Sequence, residues 1–134
     1  MSGVSVRYIV DDVDAAIDFY CGRLGFREVM HPAPAFAMLQ RDALRLLLSA
    51  PNPQGGGGRR LADGSSPEPG GWNRFSLEVD DVEAEAARLR ETGATLRSGV
   101  ITGVGGRQLL VQDPAGNLVE LFEPTRPEAH FDPR

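Results

Sequence analysis

The chain has 134 residues, 41% hydrophobic and 25% charged, with 14 basic against 19 acidic side chains for a net charge of −5. That length suits one domain with a real core, and the acidic balance argues against a nucleic-acid partner, which would call for a basic patch. No apolar run approaches the roughly 20 residues that span a bilayer, and the N-terminus shows no basic segment followed by an apolar one, so neither a membrane partner nor a signal peptide is expected.

The lone Cys21 cannot form an internal disulfide and fits a reducing compartment, which makes a cytoplasmic protein the expectation. It sits within a helical pattern beside core positions, so it reads as a packed or half-exposed thiol rather than a nucleophile.

In chain order, "VSVRYIV" (4–10) is rich in β-branched residues and reads as a strand. Asp11 and Asp12 are good helix caps, Val13, Ala16, Ile17, Tyr20 and Leu24 recur at helical spacing, and Gly25 stops the helix. Short strands follow at about 26–31, 36–41 and 44–49, the last two joined by a tight "RDA" hairpin. The stretch 51–71 differs, with seven glycines and four prolines in 21 residues. It buries too little apolar surface to offset its ordering entropy, so it reads as a mobile linker or flap in which several of Gly55–Gly58 are dispensable.

The pattern then restarts. "NRFSLEV" (73–79) is a strand, Asp80 and Asp81 are caps, Val82, Ala86 and Leu89 mark a helix ended by Gly93, and strands follow near 94–98, 107–112 and 118–123. "VDDVDAA" (10–16) lies over "VDDVEAE" (79–85) at an offset of 69, and Gly25 and Gly93 agree within one position. This is an internal duplication of strand–helix–strand–strand–strand. Module 1 runs from about 4 to 50 and module 2 from about 72 to 124, with a polar tail over 125–134.

The last strand is introduced by "QDPAGNLVELFEP" (112–124) and carries a carboxylate, Glu120, among apolar residues. A buried carboxylate needs a partner, commonly a metal or a basic side chain. Strand alternation places Glu120 opposite Val119 and Leu121, puts Arg74, Ser76 and Glu78 on one face, and turns Phe75, Leu77 and Val79 toward the helices. On the first strand Ser5, Arg7 and Ile9 share a face, with Val6, Tyr8 and Val10 behind. Arg7 and Arg74 are therefore candidate partners for Glu78 and Glu120.

The segments "IVDDVDAAIDFYCGRLGF" and "LEVDDVEAEAARLRETGA", with "DPAGNLVELFE" near the end, resemble the vicinal oxygen chelate superfamily of glyoxalase I, extradiol dioxygenases and bleomycin-resistance proteins. The resemblance covers residues 4–124 and implies an α+β fold of two βαβββ modules, whose curled sheets form a cupped site often completed by dimerisation. In metal-dependent members a first-strand His or Gln lies seven residues before the capping Asp, which corresponds here to Ser5, and to Arg74 in the second module. The last-strand carboxylate matches Glu120, and its counterpart falls at Leu46 or Leu47. Serine, leucine, arginine and glutamate do not make a metal site, because an arginine is donor-only and always charged. His31 and His130 match no ligand position. The resemblance is closest to the metal-free bleomycin-resistance branch, with no cofactor expected.

Trp72 reads either as a core plug or as a flat surface for an aromatic ligand. Phe36 and Met38 alternate on one strand, and a Met–Phe stripe suits an irregular ligand or ordinary core. The "GVGGRQ" turn lacks the strand–turn–helix context of a phosphate loop. The leading expectation is a homodimeric, metal-free protein that sequesters a hydrophobic or aromatic natural product through Arg74, Glu120, Trp72, Phe36, Met38, Ser5, Arg7, Leu46 and Ser76. The alternatives are a metal-dependent lyase, isomerase or dioxygenase with unusual ligands, and a metal-free biosynthetic enzyme with Glu120 or Glu78 as general base.

Overall fold

A computed structural model describes residues 3–53 and 56–132. The described residues divide into two compact units, 3–53 and 56–71 with 113–117, and 72–112 with 118–132.

Unit 1 holds β1 (Val4–Ile9), α1 (Val13–Arg23), β2 (Arg27–Ala33), β3 (Phe36–Arg41) and β4 (Leu44–Ser49). The sheet order is β1-β4-β3-β2, with β1 parallel to β4 and the other pairs antiparallel. Helix α1 starts where the sequence expects: the Asp12 carboxylate accepts from Ala15 N at 3.1 Å. It ends at Gly25, whose φ of 75° lets Phe26 N reach back to Tyr20 O at 3.1 Å. The "RDA" hairpin is present, with Asp42 at φ 52°.

Unit 2 repeats the plan with β5 (Phe75–Glu78), α2 (Val82–Glu91), β6 (Thr95–Leu96), β7 (Ile101–Thr102), β8 (Gly106–Gln112) and β9 (Leu118–Pro124). Its order β5-β9-β8-β6 mirrors that of unit 1, and Asp81 caps α2 through Ala84 N as Asp12 caps α1. The expected long strand at 94–98 is instead β6 plus a separate short β7, since only Thr95 and Leu96 pair there with β8 before Gly99.

Each sheet buries the face turned toward its helix. In unit 1, Leu39, Leu46 and Leu48 are completely buried with Ala16, Phe19 and Tyr20 of α1. In unit 2, Leu109, Val111, Val119 and Leu121 are buried with Val82, Ala86 and Leu89 of α2. Apolar burial of this kind, at about 25 cal/mol per Å², is the main stabilising force.

Two expectations change. One part of the glycine-rich stretch is packed, as Gly56–Gly58 forms a single 3-10 turn against β1 and β4 and Asn52 bridges to Arg59, whereas residues 59–66 are exposed. A Cβ on Gly58 would overlap the Ala50 carbonyl oxygen, so that glycine is not a dispensable spacer, whereas one on Gly57 would meet only the movable Arg7 side chain. Gly55 lies outside the described residues. The tail, read as merely polar, forms a 3-10 turn at Pro127–Ala129 and then engages Glu78, with Phe131 N donating at 2.5 Å and His130 Nδ1 at 3.2 Å.

The turn between β8 and β9 is a buried polar hub of unit 1. Asp113 Oδ1 accepts from Ala115 N and Asn117 N, each at 2.9 Å, while Oδ2 accepts from Tyr20 Oη at 2.9 Å and Asn117 Nδ2 at 3.0 Å. Asn117 also donates to Ile9 O at 2.7 Å and accepts from Gly70 N at 2.7 Å. The aspartate and asparagine of "DPAGN" thus build the turn and fasten β1 and the end of the loop.

Candidate functional site

In unit 2 the register aligns Ser76 with Glu120 and Leu110, and Phe75 with Val119 and Val111. Glu120 therefore stands on the face away from α2, beside Ser76 and next to Arg74. Arg74 Nε donates to Glu120 Oε1 at 3.1 Å, with Nη2 at 3.0 Å from the same oxygen. Glu120 Oε2 accepts from Ser76 Oγ at 2.9 Å. Both carboxylate oxygens are therefore engaged, and the charge is balanced within the sheet.

Arg74 Nη1 also donates to Trp72 O at 3.3 Å, which fixes the residue that carries the indole. Trp72 is 63% exposed, which decides against the core-plug reading. The guanidinium of Arg97 lies 4.9 Å from the Trp72 ring centroid, a cation–π contact. Sequence reasoning missed Arg97. Its backbone N–H pairs with Leu110 O just past β6, and that register is not written in the residues around it.

Glu78, the other candidate base, is held by the tail. The Phe131 N–H, with His130 beside it, lowers its pKa from the ordinary carboxylate value. That makes it a weaker base.

In unit 1, Arg7 pairs in register with Leu47 and Met38, Ser5 with Arg45 and Gln40, and Ile9 with Ser49 and Phe36. The structure thus puts Ser5, Arg7, Phe36 and Met38 on one face, opposite α1. Leu46 is not on it: completely buried, it packs on the core face with Leu39, and Leu47 occupies the open-face position. The signal is present in "LRLLLS", where Arg45 and Ser49 lie two residues to either side of Leu47 and mark its face as the open one. The expected pairing of Arg7 with a carboxylate is also corrected. Arg7 makes no ion pair among the described residues, and its guanidinium rests on the Gly57 turn. His31 lies 3.9 Å from exposed Asp14. Half-buried Cys21 has its thiol pKa raised, first by desolvation and then by Glu28 and Asp18, which leaves it a poor nucleophile.

The sequence model of the Glyoxalase/Bleomycin resistance protein/Dioxygenase superfamily matches residues 4–121. The chain belongs to this superfamily. TnmS3, described as an antibiotic binding protein from Streptomyces sp. CB03234, is 26% identical, with 93% of this chain and 97% of that chain covered at a TM-score of 0.70. A superfamily member from Sphaerobacter thermophilus is 28% identical (TM-score 0.73; 92% and 97% covered), and a lactoylglutathione lyase from Agrobacterium tumefaciens is 25% identical (TM-score 0.69; 90% and 91% covered). No curated protein sequence matches the chain.

The metal implied by the enzymatic branches of the superfamily does not fit these residues. At the two ligand positions that the resemblance implies in unit 2, both Glu120 oxygens already accept from Arg74 and Ser76, and the other position is the cation Arg74 itself. Among the described residues no group of three His, Cys, Asp or Glu side chains could hold a metal ion.

Proposed function

We propose that this superfamily member is a metal-free small-molecule binding protein that sequesters a hydrophobic or aromatic natural product, in the manner of an antibiotic-binding resistance protein. The observation that carries the reading is the internally neutralised Arg74–Glu120–Ser76 cluster next to an exposed, Arg97-stacked Trp72. The Arg74 guanidinium neutralises the carboxylate and repels a metal cation there. Beside it, the indole offers a large, rigid contact surface at little entropic cost. The similarity to an antibiotic binding protein at 26% identity supports it.

A catalytic reading needs a poised base or nucleophile. Glu120 is tied to two donors, Glu78 is made a weaker base by the tail, and Cys21 is made less acidic. The proposal includes a homodimer, because β1 and β5 are sheet edges and Val4 at the start of β1 is 63% exposed. Light scattering that gives the monomer mass at micromolar concentration would count against that part.

Trp72 is the only tryptophan in the chain, so its fluorescence reports directly on the site. Titration with a panel of polycyclic aromatic antibiotics is expected to quench it saturably with at least one compound, which is recovered chemically unchanged. A compound that is converted, or a panel that leaves Trp72 unaffected, would contradict the reading.

A further inference from the structure

The open face of the unit 1 sheet holds three arginines and no carboxylate. Arg7 of β1, Arg45 of β4 and Arg27 of β2 all project to the side opposite α1, as the register with Leu47, Ser5 and Gln40 requires. None of the three is within ion-pair distance of an acid among the described residues, whereas Arg74 and Arg107 of unit 2 each reach a carboxylate at 3.0 Å. This runs against the chain as a whole, in which acids outnumber bases 19 to 14. An ordinary solvated face would carry charges of both signs.

The arginines border an apolar strip. Half-buried Leu47, Met38 and Phe36 occupy the neighbouring positions on the same face. Arg7 and Arg45 stand two residues apart on paired strands, which places their backbones about 8 Å from one another from strand rise and spacing. Two guanidinium groups at that separation can converge on one oxyanion. The Gly57 turn lies against the Arg7 guanidinium and limits where it can go. Guanidinium is weakly hydrated and matches the planar fork of a carboxylate.

We propose that this face takes a small organic anion, with an aromatic or other apolar body on Leu47, Met38 and Phe36 and a carboxylate or sulfonate held by Arg7 and Arg45. The inference rests on the reading of the chain as a small-molecule binder and narrows its ligand to an anionic class.

A matched pair of dyes tests it: 1-anilinonaphthalene-8-sulfonate and its uncharged parent N-phenyl-1-naphthylamine. The sulfonate is expected to bind at least about tenfold more tightly, a margin that shrinks with added salt. The double variant Arg7→Gln/Arg45→Gln, altering exposed side chains, is expected to bring the sulfonate to the affinity of the neutral dye and leave the latter nearly unchanged. Arg90→Gln, an equal charge change on the exposed side of α2, is expected to alter neither. Equal affinities in the unaltered protein, or a sulfonate preference that survives the double substitution, would overturn the anionic assignment while leaving the small-molecule reading intact. Failure of both dyes to bind would overturn both.

Discussion

Glu120 meets Arg74 through a single carboxylate oxygen: Nε at 3.1 Å and Nη2 at 3.0 Å converge on Oε1, and Oε2 is left to the Ser76 hydroxyl. The pair is partly screened, since the two side chains are 26% and 16% exposed. Alanine at either position strands the other charge at a cost of about 1–3 kcal/mol, below the range for a fully dry pair. The double variant should lose much less than the sum, with a coupling of about 0.5–3 kcal/mol in chemical denaturation. Strictly additive losses would show that the pair contributes nothing to the fold.

The Tyr20–Asp113 hydrogen bond gives a second test. Burial raises the Asp113 pKa above the ordinary carboxylate value, against the lowering effect of its Asn117, Tyr20 and Ala115 donors. A raised folded value means that its contribution to stability is fully present below the unfolded pKa and is lost as pH rises through the folded pKa. Tyr20→Phe removes one donor, and is expected to cost about 1–3 kcal/mol and to raise the Asp113 pKa further. NMR titration of the carboxyl checks this; an unchanged or lowered value would contradict it.

Much of this architecture is legible in the sequence, and the legible parts share a cause. Asp12 and Asp81 cap helices through their own side chains, and Gly25 and Gly93 adopt the positive φ that favours glycine, so local chemistry fixes both helices. The Arg74–Glu120 face follows from strand alternation within segments that also carry polar residues. Alternation is legible at Leu46 too, since Arg45 and Ser49 share a face with Leu47, and the expectation at Leu46 rests on the looser spacing between the modules. The Trp72–Arg97 stack joins positions 25 residues apart through a register that no local pattern encodes. The tail contact escapes for another reason: Glu78 is bound partly by a backbone N–H, which every non-proline residue possesses.

Gly57 and Gly58 are expected to respond differently to the same substitution. A Cβ on Gly58 would meet backbone, the Ala50 carbonyl, whereas one on Gly57 would meet the far end of the Arg7 side chain, which can move. Gly58→Ala should therefore cost about 1–3 kcal/mol and Gly57→Ala clearly less. Equal midpoints in thermal melts for both variants and the parent would show that the turn is not packed as described.

The tail should detach in acid. Glu78 has its pKa lowered by Phe131 N–H and His130, so its contribution is present above the unfolded carboxylate value and is lost as pH falls through the folded one. Protection of the Phe131 amide against hydrogen exchange, taken relative to its pH-dependent intrinsic rate, is expected to fall over that interval, and Glu78→Gln to shift or abolish the fall. A protection that shows no step on acidification would contradict the contact.

The most direct test is the metal content of the protein purified without chelator. With Arg74 and Ser76 occupying both oxygens of Glu120, no stoichiometric Zn, Ni, Mn or Fe is expected, and Trp72 quenching by a bound aromatic compound should be the same before and after EDTA treatment. About one tightly held metal ion per chain, or ligand binding that EDTA abolishes, would contradict it.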